Sequence, residues 1–126
     1  LDLILVKPPE GLATAEVYRR LKVPANPMFG EAVKSALASG DVVALGRTLH
    51  NRLQEPAFEL SPTVAGWHRR LSAMGTAGVL MSGSGSCLFA LCRNPSEAQQ
   101  VHDDLSSGLA SEGLLSTRVF HVRSRL

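Results

Sequence analysis

From Gly78 to Cys92 the chain reads Gly-Val-Leu-Met, then Ser-Gly-Ser-Gly-Ser, then Cys-Leu-Phe-Ala-Leu-Cys. No other segment restricts the fold as much. Short apolar runs bounded by turn residues read as buried strands, so this stretch predicts two strands joined by a glycine-serine loop. Gly83 and Gly85 let the backbone take positive φ, and Ser82, Ser84 and Ser86 add small hydroxyls. Successive N–H groups in such a loop form a concavity suited to an anion. On residues alone two readings stay open: a loop for a phosphate or another anionic group, or a hairpin connection that holds no ligand.

The flanks exclude the commoner phosphate devices. A P-loop needs Gly-Lys-Ser/Thr after a spacer of four residues, and no lysine lies nearby. A dinucleotide fingerprint needs a third glycine and a following helix, whereas the corresponding position is Leu88, inside an apolar run. A nucleophile elbow needs glycines two residues either side of a serine. Gly83 and Gly85 flank Ser84 directly.

Turn signals punctuate the rest. Leu3 to Val6 predicts a buried strand, ended by Pro8-Pro9 and Gly11. Ala13 to Leu21 predicts a helix with Thr14 as N-cap, and Pro24 and Pro27 break the chain after it. Phe29, Val33, Ala36 and Leu37 recur at helical spacing until Gly40. Val42, Leu45, Leu49 and Leu53 form one stripe of the next predicted helix, which Pro56 interrupts. Ser61-Pro62 is a cap followed by proline at the first helical position. Val64, Trp67, Leu71 and Met74 are that helix's buried face, and Gly75 is its stop. Asn94-Pro95-Ser96-Glu97 has the form of a cap with a capping-box glutamate. Ala98, Val101, Leu105 and Leu109 continue to Gly113, and Ser116 to Val122 alternates as a final strand. The order is strand, helices, strand, strand, helix, strand: one α+β domain, a split βαβ arrangement with an antiparallel sheet and helices on one face.

At 126 residues the chain suits one domain with a modest core. A net charge of +2 argues for neither nucleic acid nor a membrane surface. Arg118, Arg123 and Arg125, spaced among apolar residues, read as the wet face of a strand or as a solvated tail. Cys87 and Cys92, placed in one strand, would point to opposite faces, too far apart for a disulfide. They read as buried thiols in a reducing cytosol, so the expected location is cytoplasmic. His50, His68, His102 and His121 are scattered singly, without metal-ligand spacing. No apolar stretch approaches the roughly 18 residues of a membrane span, and the opening Leu1-Asp2 shows no targeting segment.

The glycine-serine loop resembles the third motif of the GHMP kinases. Two further segments strengthen the resemblance: Leu5 to Tyr18, similar to the opening of that family's C-terminal half, and Asn51 to Phe58, similar to its central helix. The resemblance runs from about Leu3 to the C-terminus. It narrows to members acting on a cytidine-diphosphate-linked methylerythritol in non-mevalonate isoprenoid synthesis, although other GHMP kinases share the glycine motif. It implies the α+β, ferredoxin-like C-terminal domain of an ATP- and Mg²⁺-dependent kinase. The nucleotide loop and the catalytic aspartate and lysine would lie in an N-terminal lobe that this chain lacks, so no catalytic residue, metal site or cofactor is expected in this part alone.

The resemblance also implies roles for single residues. Gly83, Ser84, Gly85 and Ser86 would line the cleft. Tyr18 would stack on the cytosine, with Thr14 in the same pocket and Arg19 at a position that is often basic. Read without the family, Thr14 is an ordinary cap and Tyr18 a half-buried core aromatic. Asn51, Arg52, Gln54 and Glu55 read as a solvated helix face, except that Asn51 would brace the helix against the glycine loop. A side chain at Gly85 is expected to disrupt the loop while leaving the core almost untouched. The competing possibility is a stand-alone module that binds an anionic metabolite through the loop.

Overall fold

The computed structural model describes residues 1–114 and 116–125. Four strands, β1 (Asp2–Lys7), β2 (Gly78–Met81), β3 (Leu88–Cys92) and β4 (Arg118–Arg123), form one sheet in the order β2-β3-β1-β4, every pair antiparallel. The first strand is therefore central: Ile4 lies opposite Ala90 on one side and His121 on the other. Among the described residues six helices accompany the sheet: α1 (Thr14–Arg20), α2 (Glu31–Ser39), α3 (Val42–Thr48), α4 (Gln54–Leu60), α5 (Pro62–Ser72) and α6 (Pro95–Ser111).

The period-2 alternation of the strands divides the apolar residues between two faces. Ile4, Val6, Met81, Leu88, Ala90 and Cys92 point to one side, where they meet Val17 of α1, Ala57 of α4, Val64, Trp67 and Leu71 of α5, and Ala98, Val101, Leu105 and Leu109 of α6. Most of these are fully buried, and each large one contributes about 1.5–3 kcal/mol of transfer energy. Leu3 and Leu91 point the other way and pack with Val33, Ala36, Leu45 and Leu49 of the α2–α3 region. The helices thus occupy both faces, not one. The expectation of a single helical layer missed this because the two apolar sets differ only in strand parity.

Caps behave as their chemistry requires. Ser61 Oγ accepts the Val64 N–H at 3.2 Å, and Asn94 Oδ1 accepts the Glu97 N–H at 2.8 Å. Glu97 reaches back to the Arg93 N–H at 2.6 Å. Gly40, Gly75 and Gly113 follow their helices at φ 70°, the left-handed conformation of a helix stop.

Four further expectations are corrected. Phe29 does not join the buried stripe of α2: it precedes the helix and is 83% exposed. The Val42-to-Leu53 stripe is not one helix. The chain turns extended at Leu49 (φ −62°, ψ 128°) and restarts at Gln54. Pro56 then lies inside α4 rather than breaking it, because first-turn N–H groups have no helical acceptor to lose. Cys87 lies just before β3, half-buried, whereas Cys92 is buried at its end, and both thiols are free.

Candidate functional site

The loop after β2 is a tight turn closed by its own backbone. Ser82 N–H donates to Cys87 O at 2.8 Å, and Gly85 N–H donates to Ser82 O at 3.1 Å. Gly83 and Gly85 take φ of 57° and 92°, the region that favours glycine. Among the described residues the N–H groups of Gly83, Ser84 and Ser86 meet no acceptor. Ser84, Gly85 and Ser86 are half-buried, while Ser82 and Gly83 face solvent.

Thr14 is not the N-cap of α1. Ala13 holds that place, and Thr14 is the first helical residue. Its hydroxyl is thereby free to meet Ser84 Oγ at 2.9 Å, which joins the segment after β1 to the glycine loop. Tyr18 lies one turn further along α1, rotated by about 40° from Thr14 at 3.6 residues per turn. It is 56% exposed, not half-buried, and the core place belongs to its neighbour Val17, which is fully buried. Arg19 is rotated from Thr14 by about 140° and pairs with Glu16 at 2.5 Å on another side of the helix. The structure therefore brings Thr14 to the loop, sets Tyr18 on the same side of α1, and leaves Arg19 apart.

The start of α4 supports the loop from behind. Asn51 Nδ2 donates to Met81 O at 2.7 Å and to Gly83 O at 2.8 Å, the bracing expected of it. Gln54 Oε1 accepts the Met81 N–H at 2.8 Å. The solvated-face reading of Gln54 is overturned: it is half-buried and bonded to the loop. A signal was present in the sequence, since Asn51 and Gln54 are three apart at a helix start and face the same way. Leu12 was also missed. A Cβ built on Gly85 would lie 2.7 Å from Leu12 Cδ1 and 3.0 Å from Met81 Sδ, both in the main core. The loop rests directly on that core, so a side chain at Gly85 disturbs packing as well as the turn.

The loop thus presents N–H groups without a protein acceptor, three serine hydroxyls and a nearby threonine hydroxyl, donors of the kind that suit anionic oxygens. The family model described as GHMP kinases C terminal matches residues 33–111, so this chain belongs to the GHMP kinases, of which it represents the C-terminal part. Among its relatives, a 4-diphosphocytidyl-2-C-methyl-D-erythritol kinase from Pelotomaculum thermopropionicum is 37% identical over 98% of this chain and 43% of its own length. One from Geobacillus thermodenitrificans is 36% identical over 82% of this chain and 36% of its own length. A crystal structure of 4-(cytidine 5′-diphospho)-2C-methyl-D-erythritol kinase superposes with a TM-score of 0.71 at 30% identity, covering 96% of this chain and 41% of that one. Homoserine kinase from Cytophaga hutchinsonii superposes with a TM-score of 0.73 at 17% identity, a likeness of fold alone. The chain thus spans about two fifths of the length of these relatives.

Proposed function

We propose that this chain forms the C-terminal lobe of a kinase that transfers a phosphoryl group from ATP to the 2-hydroxyl of 4-diphosphocytidyl-2-C-methyl-D-erythritol, in the cytoplasm, for isoprenoid precursor synthesis. The observation that carries the reading is the 37% identity to such a kinase across nearly the whole chain. The geometry supports it. Thr14 and the glycine loop meet through the Thr14–Ser84 contact, and Tyr18 offers an exposed face for a flat base.

Phosphoryl transfer needs a phosphate cradle, neutralisation of the transferring charge, and a group that positions or deprotonates the acceptor. The loop's free N–H groups and hydroxyls fit phosphate oxygens. Bound ATP and Mg²⁺ supply the phosphoryl group and neutralise its charge. Their principal contacts, and the proton acceptor, are assigned to the N-terminal lobe. The roles of this chain are to orient the cytidine end through Tyr18 and Thr14 and to line the cleft with Gly83, Ser84, Gly85 and Ser86.

The test is steady-state kinetics on the intact protein. Tyr18→Ala is expected to raise KM for the cytidine substrate by roughly five- to a hundredfold, from about 1–3 kcal/mol of lost stacking, with KM for ATP nearly unchanged. The 126-residue chain alone should show no turnover with ATP, Mg²⁺ and substrate. Equal changes in both KM values, or turnover by the isolated chain, would refute the assignment.

A further inference from the structure

The strand order leaves β2 at the edge of the sheet. An edge strand presents N–H and C=O groups that no neighbouring strand satisfies. Met81 lies opposite Leu88, and its own N–H and C=O both turn outward to side chains of the α4 start. Gln54 accepts the N–H, and Asn51 donates to the C=O. Past the end of the strand, Asn51 donates again to Gly83 O. The chemistry fixes each amide's orientation. Two carbonyl oxygens demand the NH₂ of Asn51, while the Leu53 N–H demands its Oδ1, which it meets at 3.0 Å. A carboxylate could make only the last of these contacts.

We propose that Asn51 and Gln54 are positioning residues for phosphoryl transfer. Their amides stand in for the strand that β2 lacks, and they set the height and register of the Gly83–Ser86 turn. With the Met81 and Gly83 carbonyls drawn toward Asn51, the N–H groups of Gly83, Ser84 and Ser86 stay free for anionic oxygens. The role in transfer rests on the kinase reading above, whereas the clamp on the loop stands on the hydrogen bonds themselves.

The experiment uses the intact kinase with Gln54→Leu, Gln54→Glu and Asn51→Asp, read by kinetics and by amide hydrogen exchange at Met81. Gln54→Leu deprives the Met81 N–H of its acceptor. It should lower kcat/KM at least tenfold and speed Met81 exchange, while Gln54→Glu, which keeps an acceptor, should stay within about threefold of wild type. Asn51→Asp sets a carboxylate against two carbonyls and should be impaired at neutral pH. Its activity relative to wild type should climb as the pH is lowered, because the protonated carboxyl regains one donor. A merely structural loss would give a flat ratio. Should Asn51→Asp fail to fold, the Gln54 pair decides. Equal kcat/KM in Gln54→Leu and wild type, or unchanged Met81 exchange, would overturn the proposal. If wild type itself does not turn over the cytidine substrate, the kinase reading falls, and Met81 exchange still judges the clamp.

Discussion

Gly46, within α3, packs against backbone, and the structure sets the cost of adding one carbon there. A Cβ on Gly46 would sit 1.9 Å from Ala77 O and 2.4 Å from Ala77 C. Neither atom belongs to a side chain that can swing away, so α3 would have to retreat by about 1.5 Å to restore ordinary contact. Overpacking of this kind costs about 1–3 kcal/mol, with rigid backbone on both sides placing it near the upper end. Alanine's better helix propensity returns about 1 kcal/mol. Gly46→Ala should therefore lose about 2 kcal/mol. Gly66, within α5, is the control. The nearest atom to its added Cβ is Arg69 Nη2 at 3.8 Å, so Gly66→Ala should gain up to about 1 kcal/mol. At roughly 3–5 °C per kcal/mol for a domain of this size, Tm should fall by about 6–10 °C in the first variant and rise by a few degrees in the second. Urea and thermal melts followed by circular dichroism measure both. A Gly46→Ala protein as stable as wild type, or more so, would show that α3 does not approach the Ala77 backbone as described.

The two loop glycines should also separate. Gly83 at φ 57° has open space around an added Cβ, whereas Gly85 at φ 92° faces Leu12 and Met81. In the intact kinase Gly85→Ala should lower both Tm and kcat/KM, the latter at least about tenfold, and Gly83→Ala should cost less in both assays; the reverse order would contradict the packing. Burial, with the nearby Glu97 and Asp2 carboxylates, pushes the Cys92 thiol up to about 11. A thiol reagent at pH 8 should therefore label Cys92 only at the rate of unfolding, and fast labelling of folded protein would count against its burial. The same shift gives a signed pH dependence. The unfolded thiol ionises first, the native state holds more protons above about pH 9, and stability falls from there toward pH 11. Cys92→Ala should make that alkaline fall shallower in urea melts.

Elements with local chemical signatures were legible from residues. Ser61-Pro62 and Asn94 start helices because a short polar side chain meets orphan N–H groups within three residues, and the glycine stops are equally local. The break after α3 was not legible. Leu45, Leu49 and Leu53 keep perfect helical spacing, yet Leu49 packs in the cluster with Leu91 while Leu53 packs against the main core. One periodic stripe serves two cores on opposite faces of a sheet, and periodicity cannot distinguish that from one continuous helix. The site divides in the same way. The turn at Gly83 and Gly85 could be read from its glycines, but the partners of Thr14 and Gln54 lie 70 and 27 residues away. Those pairings depend on which strand lies at the sheet edge.

The central position of β1 has a consequence for how the molecule comes together. Asp2 pairs with Cys92 on one side and Arg123 on the other, so β1 is complete in the sheet only when both distant partners have been made. Until then Leu3, Ile4, Leu5 and Val6 form an apolar strand with two open edges, a hazard for misassociation. The α4–α5 pair and the β2–β3 hairpin, by contrast, close over short separations. Topologies dominated by distant pairings fold slowly because loop closure is paid before contacts form. The order expected from these separations is a sheet completed from its middle last, when β1 inserts between β3 and β4.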